Sequence, residues 1–408
     1  MSIIVIGSLD TKGPEVAYIR DWILRAGQAT FVLDSGTLGS AAIAADYDRI
    51  QVANAGGEAL DVLLESGDKA HCQNTMTAGL INIVSRLYAQ GQVDGVVSVG
   101  GAQGTAMATA AMRALPVGVP KVMVSTVACG KATFGPYVGT KDVTMIHSVA
   151  DILGLNSVTR KILAQAAAAV VAMASVRIPA QEKKELIAIT QAGVTTPGVM
   201  AIKERLEQLG FDVIAFHCNG IGGQAMEELI LDGQIQGVID FSPHEVTDLL
   251  FDGMMPAQPG RMTVAGQVGI PQIVAPGCAD IRLHEWRENW PADLCGRPFV
   301  RHSPTHTHFR TTAEEMAAVA HFIAERLNAG KGPRAAIIPL QGFSMMNRPG
   351  AVLFDAVANA GFIDTLRAEL APEARRVEVD AHINDEKFAD ATVQLFLELR
   401  AEKSENRN

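Results

Sequence analysis

Gly95-Val96-Val97-Ser98-Val99-Gly100-Gly101-Ala102-Gln103-Gly104-Thr105 is the stretch on which the reading of this chain turns. Val96 to Val99 is apolar and β-branched, the pattern of a strand buried on both faces. It stops at Gly100-Gly101, and a small-residue helix follows from Ala106 to Arg113. A second apolar strand, Val122 to Val124, ends at Ser125-Thr126. Strand, glycine turn, helix and parallel strand make a βαβ unit. Glycines let the backbone approach a ligand, and a helix start offers free N–H groups and the positive end of the dipole. Together these suit phosphate or carboxylate. A tight βα turn without ligand would also satisfy the pattern.

Upstream, Ile3 to Ile6 reads as a buried strand, and Gly7-Ser8-Leu9-Asp10-Thr11-Lys12-Gly13-Pro14 as its turn into a helix ending near Arg25. Asp10, Thr11 and Lys12 therefore fall outside the carboxyl end of a strand, where α/β sheets bind ligands. Lys12 can neutralise a phosphate, and Asp34, at the end of the next strand, can accept from a ribose hydroxyl. Ala41 to Lys69 is less regular and reads as a flap or helical insert. Asn156 to Val176 reads as one long alanine-rich helix, capped by Asn156 or Ser157.

After a polar linker, Pro179 to Lys184, the same order returns. Leu186 to Thr190 is a strand, Ala192 to Gly198 its turn, Val199 to Leu209 a helix and Val213 to Phe216 a strand. Gly269-Ile270-Pro271 opens a strand as Gly118-Val119-Pro120 does in the first half. The expected fold is α/β: two Rossmann-like, doubly wound domains with mostly parallel sheets, residues 1–180 and 181–408. The second half carries its own candidates. His217 precedes Cys218-Asn219-Gly220-Ile221-Gly222-Gly223 at a strand end, where a second anion site is plausible. His244 and Glu245 follow another strand. His217, His244 and Glu245 are the candidates for proton transfer. Cys278, in Pro276-Gly277-Cys278-Ala279-Asp280, lacks a visible base. His302, His306 and His308 have metal-like spacing but no Cys or carboxylate beside them, and no metal is expected. Thr312 to Glu315 has the pattern of a helix capping box.

Composition narrows the partners. The 408 residues exceed one ordinary core, and 48% are hydrophobic. Aromatics are only 5% and the net charge is −10, which disfavours nucleic acid. Five cysteines without a Cys-x-x-Cys pair suggest a reducing compartment, and cytoplasmic location is expected. No membrane span or secretory leader is expected.

Several motifs together resemble one family. They are Gly7-Ser-Leu-Asp-Thr-Lys-Gly13, the Gly100 turn, Gly220-Ile-Gly-Gly-Gln-Ala-Met-Glu227 and Pro276-Gly-Cys-Ala-Asp280. To these are added His302, Thr307, Arg310-Thr311-Thr312 and Glu378-Val-Asp-Ala-His-Ile-Asn-Asp385. Over nearly its whole length the chain resembles bacterial members of the Tm-1-like ATP-binding family, UPF0261. The family's plant member is a virus-resistance protein whose inhibitory part has two Rossmann-like domains, dimerises and binds ATP. The resemblance implies ATP, with Mg as an optional companion ion, and a homodimer, but no defined reaction. The sequence departs from the family pattern at Cys218-Asn219, where Ala-Thr is usual, and at Pro243-His244, where Thr-Thr is usual. It departs again at His306 and His308.

A P-loop is absent: Ser125 to Lys131 lacks the first glycine and has Ala132 where a hydroxyl belongs. The Gly7 turn also lacks the dinucleotide fingerprint, which disfavours hydride transfer. Nucleotide phosphates are then expected at Asp10, Thr11, Lys12, Gly100, Gly101, Gly104, Thr105, Ser125 and Thr126. The competing expectations are a catabolic enzyme, a hydrolase or carbon–carbon lyase acting on an acidic or phosphorylated small molecule, and a protein-interaction module.

Overall fold

The computed structural model describes residues 2–129, 135–179, 182–286 and 290–405. The chain divides into two compact units, residues 1–180 and 181–408.

In the first unit the strands are β1 (Ser2–Gly7), β2 (Ala29–Asp34), β3 (Gly95–Gly100), β4 (Lys121–Ser125) and β5 (Thr144–His147). All pair in parallel in the order β2-β1-β3-β4-β5. The interleaved helices are α1 (Leu9–Arg25), α2 (Arg49–Ala55), α3 (Leu60–Glu65), α4 (Lys69–Ala89), α5 (Ala102–Arg113), α6 (Gly135–Val138) and α7 (Ser157–Ser175). Successive strand residues point to opposite faces, and both faces are covered. Ile4, Ile6, Val96 and Met123 pack under α4 and α5. Ile3, Val5, Val97, Val99, Val122 and Val124 pack under α1 and α7. This is why the strands read as continuous apolar runs. The segment expected to be a flap holds α2 and α3.

Helix α1 is interrupted at Lys12, whose φ of −126° and ψ of 16° are not helical. Pro14 has no N–H to return to the preceding turn, so the kink falls beside it. Helix α7 is the one helix among the described residues that is long and apolar enough to cross a membrane. Its Leu163, Ala166, Ala167 and Val170 are buried on the sheet of its own unit. Asn156 caps it: the side chain accepts from Val158 N–H at 2.9 Å and Thr159 N–H at 3.0 Å, and Thr159 Oγ1 accepts from Asn156 N–H at 2.9 Å. Asn156→Ala is expected to cost about 1 kcal/mol, read by urea denaturation.

In the second unit the main sheet comprises β6 (Leu186–Gln191), β7 (Asp212–His217), β8 (Gly237–Asp240) and β9 (Gln272–Val274). It is completed later in the chain by β13 (Arg334–Pro339) and β14 (Arg375–Val379). The order is β14-β13-β9-β8-β6-β7, all parallel. The helices are α8 (Thr196–Gln208), α9 (Gly222–Leu231), α10 (His244–Leu250), α11 (Val264–Val268), α12 (Ala313–Ala329), α13 (Ala356–Glu369) and α14 (Glu386–Glu405). One face, with Ile187, Ile189, Ile239, Ile273 and Ile337, packs against α8 and α14. On the other, Ala188 and Val238 meet α9, while Val274, Ala336 and Ile338 meet α12 and α13. The expected capping box opens α12, with Glu315 N–H donating to Thr312 Oγ1 at 3.2 Å and Thr312 N–H to Glu315 Oε2 at 2.8 Å.

One element lies outside the expected pattern. Between β9 and β13 the chain forms a small antiparallel sheet of β10 (Ile281–His284), β11 (Phe299–Arg301) and β12 (Thr307–Arg310), in the order β10-β12-β11.

Candidate functional site

Both main sheets reverse their winding beside the first strand, between β1 and β3 in one unit and between β6 and β8 in the other. At such a reversal the loops leave in opposite directions and open a crevice at the carboxyl ends of the strands.

In the first unit this edge carries the turn after β1, with Asp10, Thr11 and Lys12, and the turn after β3, with Gly100 and Gly101. Asp10 is a clasp: its carboxylate accepts from Leu38 N–H at 2.7 Å and Gly39 N–H at 3.1 Å. Asp34 is buried and accepts from Leu9 N–H at 3.0 Å and Gly36 N–H at 2.8 Å, so the ribose contact is replaced by backbone. Burial raises its pKa. The Lys12 ammonium donates to the carbonyl of Ile152. Thr105 and Ser125 are fully buried and share a 2.7 Å hydrogen bond, which leaves Thr126 half-buried at the edge. Gly130 and Lys131 lie outside the described residues.

The start of α5 is open. Gly101 is its N-cap and no side chain caps it, so the first N–H groups have no partner within the helix. A Cβ at Gly101 would find nothing nearer than Thr126 Oγ1 at 3.8 Å, and one at Gly104 nothing within 4 Å. Packing does not demand glycine at either position. Beside this helix start lies an open crevice of about 320 Å³, lined by Leu38, Leu63, Leu64, Lys69 and Gln103 among others.

The glycines before α9 have a different cause. Gly220 has a φ of 83°, and a Cβ at Gly223 would fall 1.9 Å from Glu245 Oε1 and 2.2 Å from Arg261 Nε. Glu245 Oε2 already accepts from Gly220 N–H at 2.7 Å. A carboxylate of the chain itself thus occupies the turn where an anion was expected. Glu245 is fully buried and bonds Arg261 Nε at 2.6 Å, in the protein interior rather than on the cavity wall. Arg261 also meets Asp240 at 2.7 Å and lies 3.6 Å from Glu227. Three carboxylates thus surround one guanidinium. Burial raises the Glu227 pKa to about 7, only partly opposed by Arg261.

Beside this network, at the second reversal, is a cavity of about 180 Å³. The turn after β6 supplies Ala192 to Val194, the end of β7 supplies His217 and Cys218, and α10 supplies His244. Cys278 follows β9, and the small antiparallel sheet closes the side with Ile281, Leu283, His302, His306 and His308. The structure thus joins His217 and His244 with the histidine run, which are far apart in sequence. Cys218, His244, His306 and His308 all line this one cavity. His302 and His308 stack with ring centroids 4.6 Å apart and an angle of 14°. Burial, with the neighbouring histidines, lowers the His308 pKa to about 3, so its imidazole is neutral. Burial pushes the Cys218 and Cys278 thiols well up, Cys218 further through Glu245 and Asp240, Cys278 through Asp280. Among the described residues no group of three His, Cys, Asp or Glu side chains is arranged to hold a metal ion.

Residues 1–179 match the "Uncharacterised protein family (UPF0261) N-terminal domain", and residues 184–400 match its C-terminal domain. A UPF0261 protein of Clostridium tetani is 40% identical over 97% of this chain and 98% of its own length. One from Rhizobium meliloti is 38% identical with the same coverage. The ToMV susceptible protein tm-1(GCR26) of Solanum lycopersicum is 34% identical over 79% of this chain but 44% of its own length. Among solved structures, a putative UDP-N-acetylglucosamine 2-epimerase from Listeria monocytogenes is 11% identical with a TM-score of 0.23. It covers 67% of this chain and 78% of its own, and a likeness this loose carries no argument.

Proposed function

Because the chain belongs to the UPF0261 family, we propose that it is a nucleotide-binding protein whose first unit takes ATP. The supporting observation is the start of α5: an uncapped helix end beside two glycines that packing does not require, at the reversal of a doubly wound sheet. Backbone N–H groups there and the helix dipole hold phosphate. The adjoining crevice, with Leu38, Leu63 and Leu64, offers an apolar wall to the base. Lys12 exchanges the Ile152 carbonyl for a phosphate oxygen, and Mg, where present, accompanies the triphosphate. Asp10 acts by holding the loop that carries Leu38.

Gly101→Val tests this cleanly, because the added side chain meets open space while blocking the approach of a phosphate to the helix start. Calorimetric titration is expected to show ATP weakened at least about tenfold by Gly101→Val and by Lys12→Ala, as loss of a charge-assisted hydrogen bond implies. Melting temperatures without nucleotide should fall only slightly, since valine at an N-cap costs about 1 kcal/mol or less. Equal affinity in both variants and the parent would remove this placement.

A further inference from the structure

The cavity of the second unit lies at the position where doubly wound sheets bind ligands, yet it is unsuited to a triphosphate. Its described lining contains no Lys or Arg. Behind Cys218 stand Glu245 and Asp240, and behind Cys278 stands Asp280, close enough to disfavour both thiolates. Burial is the larger cause for both thiols, and Arg261 pairs with Glu245 and Asp240, so the floor presents neutral thiols and no cation to a ligand. Its volume of about 180 Å³ compares with the roughly 150 Å³ of an engineered cavity that admits benzene.

Two histidines on its wall are held in different ways. His217 Nδ1 lies 3.2 Å from the carbonyl oxygen of Gln191. A carbonyl only accepts, so Nδ1 carries the proton and the neutral ring has its lone pair on Nε2. His244 is buried, with Nε2 3.9 Å from the fully buried carboxylate of Asp248. Asp248 is itself fixed by Leu283 N–H and Met255 N–H, each at 2.9 Å. The carboxylate is a counter-charge within 4 Å of the ring, though beyond hydrogen-bond distance. His308 stays neutral and does not compete for the proton.

From this geometry we infer that the cavity is a proton-transfer site for a small, uncharged carbonyl compound, with His217 as base and His244 as acid. His217 Nε2 takes the proton from the carbon next to the carbonyl. The C–H electron pair becomes the C=C bond of an enol. The C=O π pair moves to oxygen, which takes the proton of His244. Return of a proton to the same carbon, with the O–H proton going back to His244, restores the carbonyl compound with its hydrogen exchanged. Where that carbon bears a hydroxyl, as in hydroxyacetone, the intermediate is an enediol. A proton then adds to the former carbonyl carbon, the other hydroxyl loses its proton as its O–H pair becomes the new C=O, and the C=C pair forms the new C–H bond, which completes an isomerisation. No oxidant, reductant or second substrate enters.

The probe is hydroxyacetone in D2O, with exchange of its carbon-bound hydrogens followed by proton NMR. The parent protein is expected to exchange them faster than free imidazole at the same concentration of histidine rings. His217→Asn and His244→Asn should each slow exchange by about 100-fold, the usual size of one acid or base contribution. The parent's rate–pH profile should be bell-shaped, and each variant should lose one limb, which a merely structural histidine would not cause. His217 is exposed, so its variant reads the chemistry even where His244→Asn unfolds. Pyruvate, of similar size but anionic, should exchange more slowly than hydroxyacetone. Exchange no faster than imidazole, or unchanged in His217→Asn, overturns the catalytic assignment. Faster exchange of pyruvate overturns the uncharged substrate.

Discussion

Arg261→Met is expected to destabilise the second unit by about 3–5 kcal/mol, enough to unfold it under mild conditions. Arg261 is 1% exposed and is the common partner of Asp240 and Glu245, both fully buried, and of Glu227. Methionine keeps much of the volume but leaves like charges facing each other in a medium that solvates them poorly. Thr190 Oγ1 still donates to Asp240 and Gly220 N–H to Glu245, but neutral donors do not cancel a charge. Urea denaturation followed by the fluorescence of Trp286 and Trp290 measures the loss. A change below about 1 kcal/mol would mean that protons, rather than Arg261, neutralise the carboxylates.

Glu227→Gln should do the reverse at alkaline pH. The carboxyl moves from an ordinary 4.5 to about 7 on folding, chiefly by burial. The folded state thus holds this proton more tightly than the unfolded chain does. Its stabilising contribution is complete below pH 4.5 and is lost as pH rises through about 7. At about 1.4 kcal/mol per pH unit the loss is about 3 to 3.5 kcal/mol. Glutamine stays neutral and keeps an oxygen to accept from Met262 N–H, which now meets Glu227 at 2.6 Å. The variant is expected to match the parent near pH 4 and to exceed it by about 2–3 kcal/mol at pH 8. A difference independent of pH would show that Glu227 titrates normally.

Much of the scaffold is readable from local pattern. Buried parallel strands announce themselves by runs such as Val96 to Val99, and glycine turns mark where they end. The Thr312 to Glu315 cap is likewise legible, because its partners are three residues apart. The small antiparallel sheet is not: Ile281 to His284 pairs with Thr307 to Arg310, with β11 lying between them in sequence, and nothing local specifies that pairing. Arg261 also escapes sequence reading, being a single cation in a loop. Its signal is indirect: Glu227, Asp240 and Glu245 are all buried and require a counter-charge. The separate histidines were visible, but only the sheet brings His302 to His308 beside His217 and His244. Glycine runs proved ambiguous in themselves. At the start of α5, Gly101 and Gly104 stand in open space, whereas at the start of α9 a similar run makes room for an internal ion pair.

The last helix, α14, has a consequence for synthesis. Its Phe388, Phe396 and Leu399 share the core of Ile187 and Ile189. Phe396 lies so close to Gly237 that a Cβ there would meet its ring at 2.6 Å. Arg205 on α8 pairs with Glu386 and Asp390, and Glu185 with Arg400. The first strand of this sheet therefore waits for the covering that the ribosome makes about 200 residues later, some 10–40 s at ordinary elongation rates. The first unit has its own last core helix, α7, by Ser175. A growing chain thus carries an apolar sheet face with only α8 to cover it through most of the second half of translation. That interval is when a chaperone holding Phe211, Phe241 and their neighbours would matter most.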